Sequence, residues 1–354
     1  MLRPDLEPTP WRVSSGTAEV TGLARARLDC APTTAYVMLG ERCAGDCAFC
    51  AQARSSMARA DLLSRVAWPQ FASTEAAAAI ARACAADTLR RVCFQVTTTP
   101  GHIELATAAV REMRARSACP ICVSVAPRHL DDIGLLLDAG AERVTLAIDA
   151  ACERVHAEVK SGSWQRTDAM LSSAAQRWPG RIGTHLIVGL GETEHEMAAA
   201  LQRYADLGVA VALFAFTPVP GARLASQPPP PLAGYRRLQA ARWLIVQGLT
   251  DADKFAYDEQ GCILSFGLPS EQLAVLLADG ENSPFRTSGC ADCNRPYYNE
   301  RPGGDLYNYP RPLTAAEAAA EVAGLLRTLA AEPLQAPDSH SLERGMRHDQ
   351  NTAL

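Results

Sequence analysis

Six short segments rich in apolar and β-branched residues recur along the chain: Ala35–Gly40, Arg91–Val96, Ile121–Ala126, Arg143–Ile148, Ile182–Val188 and Val209–Phe216. Helix-like stretches lie between them, at Thr74–Ala86, Ile103–Arg116, His129–Ala139 and Thr193–Leu207. Two of these stop at a glycine, Gly140 and Gly208, and Thr193 with Glu196 has the spacing of a capping box. Strands alternating with crossover helices pair in parallel, so the pattern predicts an α/β fold. Six units, rather than eight, predict a partial (βα)6 TIM-type barrel with N- and C-terminal extensions. The expected organisation is an N-terminal extension over 1–35, a barrel over 36–250 and a C-terminal extension over 251–354. Pro228–Pro231 sets a rigid turn before a helix around Tyr235–Gln247. From Asp251 to Tyr309 the pattern dissolves into glycine-, proline- and tyrosine-rich sequence, followed by an amphipathic helix near Thr314–Ala331 and a loose tail.

Composition narrows the chemistry. A net charge of −5 argues against a nucleic-acid backbone as the main partner. The longest apolar stretch, Leu207–Phe216, is far short of a bilayer span, so no membrane is expected. The first residues hold acids and prolines where a secretory signal needs a basic end and an apolar run; the expected location is cytoplasmic. Twelve cysteines then become the anomaly, because clustered thiols kept reduced in a cell point to metal or redox chemistry more than to disulfides.

Directly after the first expected strand, Glu41–Cys50 places Cys43, Cys47 and Cys50 within eight residues. Three thiolates can hold three irons of a [4Fe–4S] cluster and leave the fourth open to a small molecule. A zinc site would want a fourth Cys or His in the loop, and none is there. This loop, with Phe49 just before the last cysteine, resembles the signature of the radical S-adenosylmethionine (SAM) superfamily. The resemblance implies that Cys43, Cys47 and Cys50 are metal-ligating and catalytic, that S-adenosylmethionine binds the open iron, and that its cleavage gives a 5′-deoxyadenosyl radical.

In α/β barrels the working groups sit at the C-terminal ends of strands. By the same resemblance, Thr97, Thr98 and Thr99 after the second strand stand where the family contacts the methionine amino group, although the usual glycines and acid are missing. Asp149 resembles the ribose ligand, with a plain loop aspartate as the other reading, and Lys160 is a candidate for the methionine carboxylate. Ile187, Gly189 and Glu192 resemble the adenine-binding segment after the fifth strand, and Phe49 completes the expected cofactor-binding set. Thr217–Gly221 follows the sixth strand in the manner of the family.

Within the superfamily the core resembles biotin synthase. Cys93 and Cys122 match two of its three auxiliary-cluster cysteines, but Gly183 occupies the third position, so biotin formation is not expected. The two cysteines can equally be small buried hydrophobes. A second thiol set lies beyond the barrel. Cys290 and Cys293 have metal-ligand spacing, with Cys262 and Cys30 as available completing ligands. Arg286–Ser288 resembles the Arg-Ser-Ser-Tyr segment of single-chain lipoyl synthase, and that resemblance implies Ser288 as an alternative to Cys30. The pair alone does not distinguish zinc from iron. Together with Ala51–Ser55 and Asn294–Glu300, these residues resemble a component of the two-protein (bipartite) lipoyl synthase. That resemblance implies a second, auxiliary [4Fe–4S] cluster as sulfur donor to an octanoyl chain on a carrier-protein lysine. It also implies three partners: the octanoylated lipoyl-carrier protein, a second radical SAM lipoyl synthase component and a ferredoxin-like reductant.

Two rival readings stand beside this one. In the first, a biotin synthase-like mutase or carbon–carbon ligase carries a non-sacrificial second metal site. In the second, the chain is a non-catalytic metal scaffold. Arg295 either balances cluster charge or is a surface arginine; Tyr297 and Tyr298 read as packing residues, His185 as a core histidine, and Cys84, Cys119 and Cys152 as structural.

Overall fold

The computed structural model describes residues 10–300 and 303–329. The chain opens with β1 (Trp11–Val13), α1 (Ser15–Val20) and β2 (Thr34–Leu39). Then come a small hairpin, β3 (Leu62–Leu63) with β4 (Val66–Ala67), and β5 (Gln70–Phe71). The repeating part follows as α2 (Ser73–Ala85), β6 (Arg91–Val96), α3 (His102–Arg114), β7 (Ile121–Ser124), α4 (Leu130–Asp138) and β8 (Arg143–Thr145). It continues through α5 (Glu153–Val159), α6 (Trp164–Arg177), β9 (Ile182–Val188), α7 (Glu194–Asp206), β10 (Ala210–Ala215) and α8 (Leu232–Val246). A 3-10 turn (Ala252–Lys254), β11 (Ala256–Tyr257), β12 (Ile263–Ser265), α9 (Ser270–Leu277) and α10 (Ala315–Leu326) complete it.

The sheet order is β10-β9-β8-β7-β6-β2-β1-β5, with every pair from β2 to β10 parallel. Six parallel strands in chain order, each followed by helix, make the partial (βα)6 barrel that the periodicity predicts. β2 is buried along its whole length, as a strand covered on both faces must be. At one edge the chain's beginning adds β1 antiparallel to β2, and β5 then pairs with β1. Trp11 locks this edge by an edge-to-face contact with Phe94 of β6, centroids 5.2 Å apart.

The other edge, β10, is covered by the C-terminal segment. Ser288 Oγ accepts the Leu213 N–H at 2.9 Å, and Asn299 Nδ2 donates to the Ala215 carbonyl at 2.7 Å. Side-chain groups thus occupy ladder positions that an edge strand would leave open. Within the stretch whose pattern dissolves in the sequence, the part around Ser288–Asn299 enters the barrel and hydrogen-bonds to strands far away in the chain. Sequence periodicity also passed over α5 and α6, which sit together after β8; α6 has Ser163 as N-cap. The amphipathic helix expected near Thr314 is α10, with a complete Thr314/Glu317 capping box. His340 and His348 lie outside the described residues. Among the described residues no helix is long and apolar enough to cross a membrane.

Candidate active site

The loop after β2 is organised by Arg42, whose guanidinium donates to the carbonyls of Ala51, Ala53, Ser56 and Ala58 at 2.8–3.2 Å. With the backbone so tied, the sulfurs of Cys43, Cys47 and Cys50 are close enough to feel one another's charge. Gly45 N–H donates to Cys43 Sγ and Gln52 N–H to Cys50 Sγ, each at 3.4 Å. Donors aimed at sulfur favour the thiolate, the form that binds metal. Burial works the other way, pushing the Cys50 thiol up to about 12 and raising that of Cys47. Ionisation in this loop therefore needs a cation to offset it.

Below the loop lies a cavity of about 240 Å³ at the C-terminal ends of the strands. Cys43 and Cys50 line it, as do Phe49, Thr97, Asp149 and Ile187, four of the nine expected cofactor-binding residues. Asp149 has a left-handed backbone, φ 61°, and its carboxylate accepts from Lys160 Nζ at 2.5 Å. Lys160 also donates to the Ala147 carbonyl, so the expected ribose and carboxylate ligands are paired with each other. Thr98 and Thr99 do not line the cavity: the Thr98 carbonyl accepts Ala44 N–H at 2.7 Å and anchors the cysteine loop. This anchor holds the loop's start against the end of β6, and Cys43 N–H donating to the Gln52 carbonyl at 3.0 Å closes the loop on itself. Glu192 is likewise spent on its own turn, accepting from Gly189 N at 2.6 Å and Leu190 N at 3.0 Å. Gly189 faces Pro230, which a Cβ would meet at 3.0 Å.

A second space lies deeper, at the opposite half of the strands. Cys93 of β6 and Cys122 of β7 are register partners, and the Cys122 side chain meets those of both Cys93 and Cys290. Cys293 lines the same pocket and stands 3.4 Å from Tyr36 Oη. Cys290 and Cys293 thus meet Cys93 and Cys122, not the completing ligands expected from sequence. Cys262 packs by Glu194 and Arg237 at the start of α7, beyond the other end of β9, and Cys30 Sγ points to the carbonyls of Ala31 and Pro310. Ser288 lines the pocket, but its Oγ is engaged by β10. Gly183 faces Thr145 and Arg143: a Cβ there would lie 2.9 Å from Thr145 Oγ1, leaving no room for a longer side chain. Among the described residues no three His, Cys, Asp or Glu are drawn together tightly enough to hold a single metal ion.

The two spaces share Gln95, Ser124 and His185, one layer of side chains between them. Sequence reasoning missed Gln95 and Ser124 and took His185 for plain core. The available signal was strand alternation, since Cys93 and Gln95, like Cys122 and Ser124, are two apart and so share a face. His185 packs edge-on against Phe214, centroids 5.1 Å apart, and burial lowers its pKa to about 4, so it is neutral. Arg295 is buried, not at the surface, with its guanidinium 3.8 Å from the Phe214 ring centroid.

Residues 37–204 match the family model described as the radical SAM superfamily. Over that span, a little under half of the chain, the sequence is similar to that superfamily. The span holds the cysteine loop, and the [4Fe–4S] cluster and S-adenosylmethionine that the family uses fit the donor set: three neighbouring thiols above a cavity with one charged pair. Among solved structures the chain is similar to HydG, a maturase of the [FeFe]-hydrogenase, with TM-score 0.50 and 12% identity over 60% of this chain and 50% of that one. HydG from Carboxydothermus hydrogenoformans gives TM-score 0.48 and 15% identity, covering 61% and 51%. Methylornithine synthase (PylB) gives 0.48 and 12%, covering 60% and 62%. The chain thus spans about half the length of the HydG structures, and at these identities the likeness is one of fold. No curated protein matches the chain.

Proposed function

We propose that this chain is a radical SAM enzyme that inserts sulfur, in the manner of a lipoyl synthase, into an octanoyl chain borne on a carrier-protein lysine. The observation that carries the reading is the stacking of the two spaces. A saturated chain in the upper cavity lies under the cysteine loop and over a floor of four thiols, with only Gln95, Ser124 and His185 between.

Once loaded, the loop's cluster with S-adenosylmethionine would supply a 5′-deoxyadenosyl radical able to take hydrogen from unactivated carbon. The chain's own residues do the rest. Met38, Phe49, Val96, Phe214, Phe216 and Val219 give the cavity apolar walls suited to an alkyl chain and poor for water. Asp149 and Lys160 place one charged pair beside the cavity for the polar cofactor. Neutral His185 adds no charge beside the reacting carbon. A second lipoyl synthase component and a ferredoxin-like reductant complete the proposal, the first supplying the remaining insertion and the second the electron.

The test is anaerobic incubation of the reconstituted protein with reductant, S-adenosylmethionine and an octanoyl-lysyl peptide, alone and with a partner component. The expected products are 5′-deoxyadenosine and a mono- or dithiolated peptide. Deoxyadenosine with unmodified peptide under every pairing would overturn the substrate assignment and favour a mutase or ligase.

A further inference from the structure

We infer that the barrel floor is a second metal centre, an iron–sulfur cluster ligated by Cys93, Cys122, Cys290 and Cys293. Two ligands come from barrel strands and two from the C-terminal segment. The inference deepens the sulfur-insertion reading by naming the donor's ligands, but a cluster can sit there whether or not it surrenders sulfide.

Sequence separation hides the set, and topology assembles it. Cys93 and Cys122 are opposed on adjacent strands, and the segment that caps β10 brings in the other two. Gly289 makes the approach possible: with φ 119° and a Cβ position 2.9 Å from Ala212 Cβ, it lets Cys290 enter where any side chain would collide.

Charge points to an anionic occupant. Arg143 and Arg295 line the pocket, and Arg91 is close enough for its charge to act on Cys122 and Cys290. Arg91 pairs with Glu142, whereas Arg143 Nε is buried with no hydrogen-bond partner. Arg295 donates to the Ser288 carbonyl at 3.0 Å and has no carboxylate partner among the described residues. A buried cation without a carboxylate partner, such as Arg295, is costly unless an anion faces it, and a four-thiolate cluster carries net negative charge. Donors are also aimed at the sulfurs. Gln95 Nε2 donates to Cys93 Sγ at 3.4 Å. Tyr36 Oη accepts the Arg295 N–H at 2.8 Å, which leaves its own proton for Cys293 Sγ. The free space between these side chains is about 30 Å³, so a cluster core fits only if the four thiols move apart to admit it.

The experiment removes the first cluster with Cys43→Ala, Cys47→Ala and Cys50→Ala in the full chain. The triple variant is reconstituted anaerobically with iron and sulfide, and iron, acid-labile sulfide, zinc and the dithionite-reduced EPR spectrum are measured. It should retain a stoichiometric cluster. Adding Cys93→Ser and Cys122→Ser should lower iron and sulfide at least tenfold, whereas adding Cys30→Ser and Cys262→Ser should leave them unchanged. Should the double serine variant not fold, Cys93→Ser alone in the triple background decides: an oxygen ligand should shift the EPR g-values. Absence of iron and sulfide from the triple variant overturns the inference. So does zinc in their place, loss on changing Cys30 and Cys262, or a spectrum indifferent to Cys93. A cluster present without sulfur transfer would sink the sulfur-insertion reading alone.

Discussion

Tyr36 and Cys293, 257 positions apart in sequence, meet inside the barrel with Oη 3.4 Å from Sγ. The contact ties the C-terminal segment to the strand that launches the cysteine loop. Tyr36→Phe removes the donor to sulfur and the acceptor of the Arg295 N–H together. The expected cost is about 1–3 kcal/mol, read as a lowered midpoint in denaturant unfolding. A midpoint equal to wild type would show that the contact does not hold the segment in place.

Cys43, Cys47 and Cys50 share one loop over one cavity, so replacing any one by alanine should lower 5′-deoxyadenosine formation at least a hundredfold. Iron content should fall by about four per chain. Far-UV circular dichroism should match wild type, because the loop is held by Arg42 and by backbone bonds.

Lys160→Met leaves the Asp149 carboxylate largely buried and unpaired. Breaking such a pair costs about 3 kcal/mol. Thermal unfolding should show the loss, and Asp149→Asn in the same chain should restore much of it. Additive losses in the double variant would mean that the pair is not coupled.

His185 is held neutral by burial, with a folded-state pKa of about 4 against an ordinary 6.5. The stabilisation is therefore full above pH 6.5 and is lost as pH falls from 6.5 toward 4, because the unfolded chain binds the proton first. The difference in stability between wild type and His185→Gln should shrink over that window by up to roughly 3 kcal/mol. A difference independent of pH would place the imidazole in contact with water.

Gly289→Ala should cost stability through its positive φ and its contact with Ala212, and should lower iron retention in the variant that lacks the loop cysteines. Unchanged iron would mean that Cys290 is not delivered by this turn.

The barrel was legible in the sequence because its signal is local. Arg91–Val96 and Ile182–Val188 coincide with β6 and β9, since β-branched runs bounded by turns leave little choice of end. The cysteine loop was legible for the same reason, its three thiols lying within one turn of chain. The deeper pocket was not. Cys93 and Cys290 are far apart in sequence, and the hydrogen bonds that join Ser288 to β10, Ala291 to Arg91 of β6 and Asp292 to Thr34 of β2 bring them together, so spacing favoured Cys30 and Cys262 instead. Arg295 shows the same limit: on sequence it is as easily a surface residue, and it sits among Phe214, Tyr36, Tyr235, Tyr298 and Cys293, which come from separate segments.

The central claim is that sulfur reaches the substrate from the barrel floor. Reconstitution with ³⁴S-sulfide followed by one turnover on the octanoyl-lysyl peptide tests it directly by mass spectrometry. The account predicts ³⁴S in the thiolated peptide and a matching loss of labile sulfide from the protein. A peptide free of the label, with deoxyadenosine formed and protein sulfide intact, would contradict it.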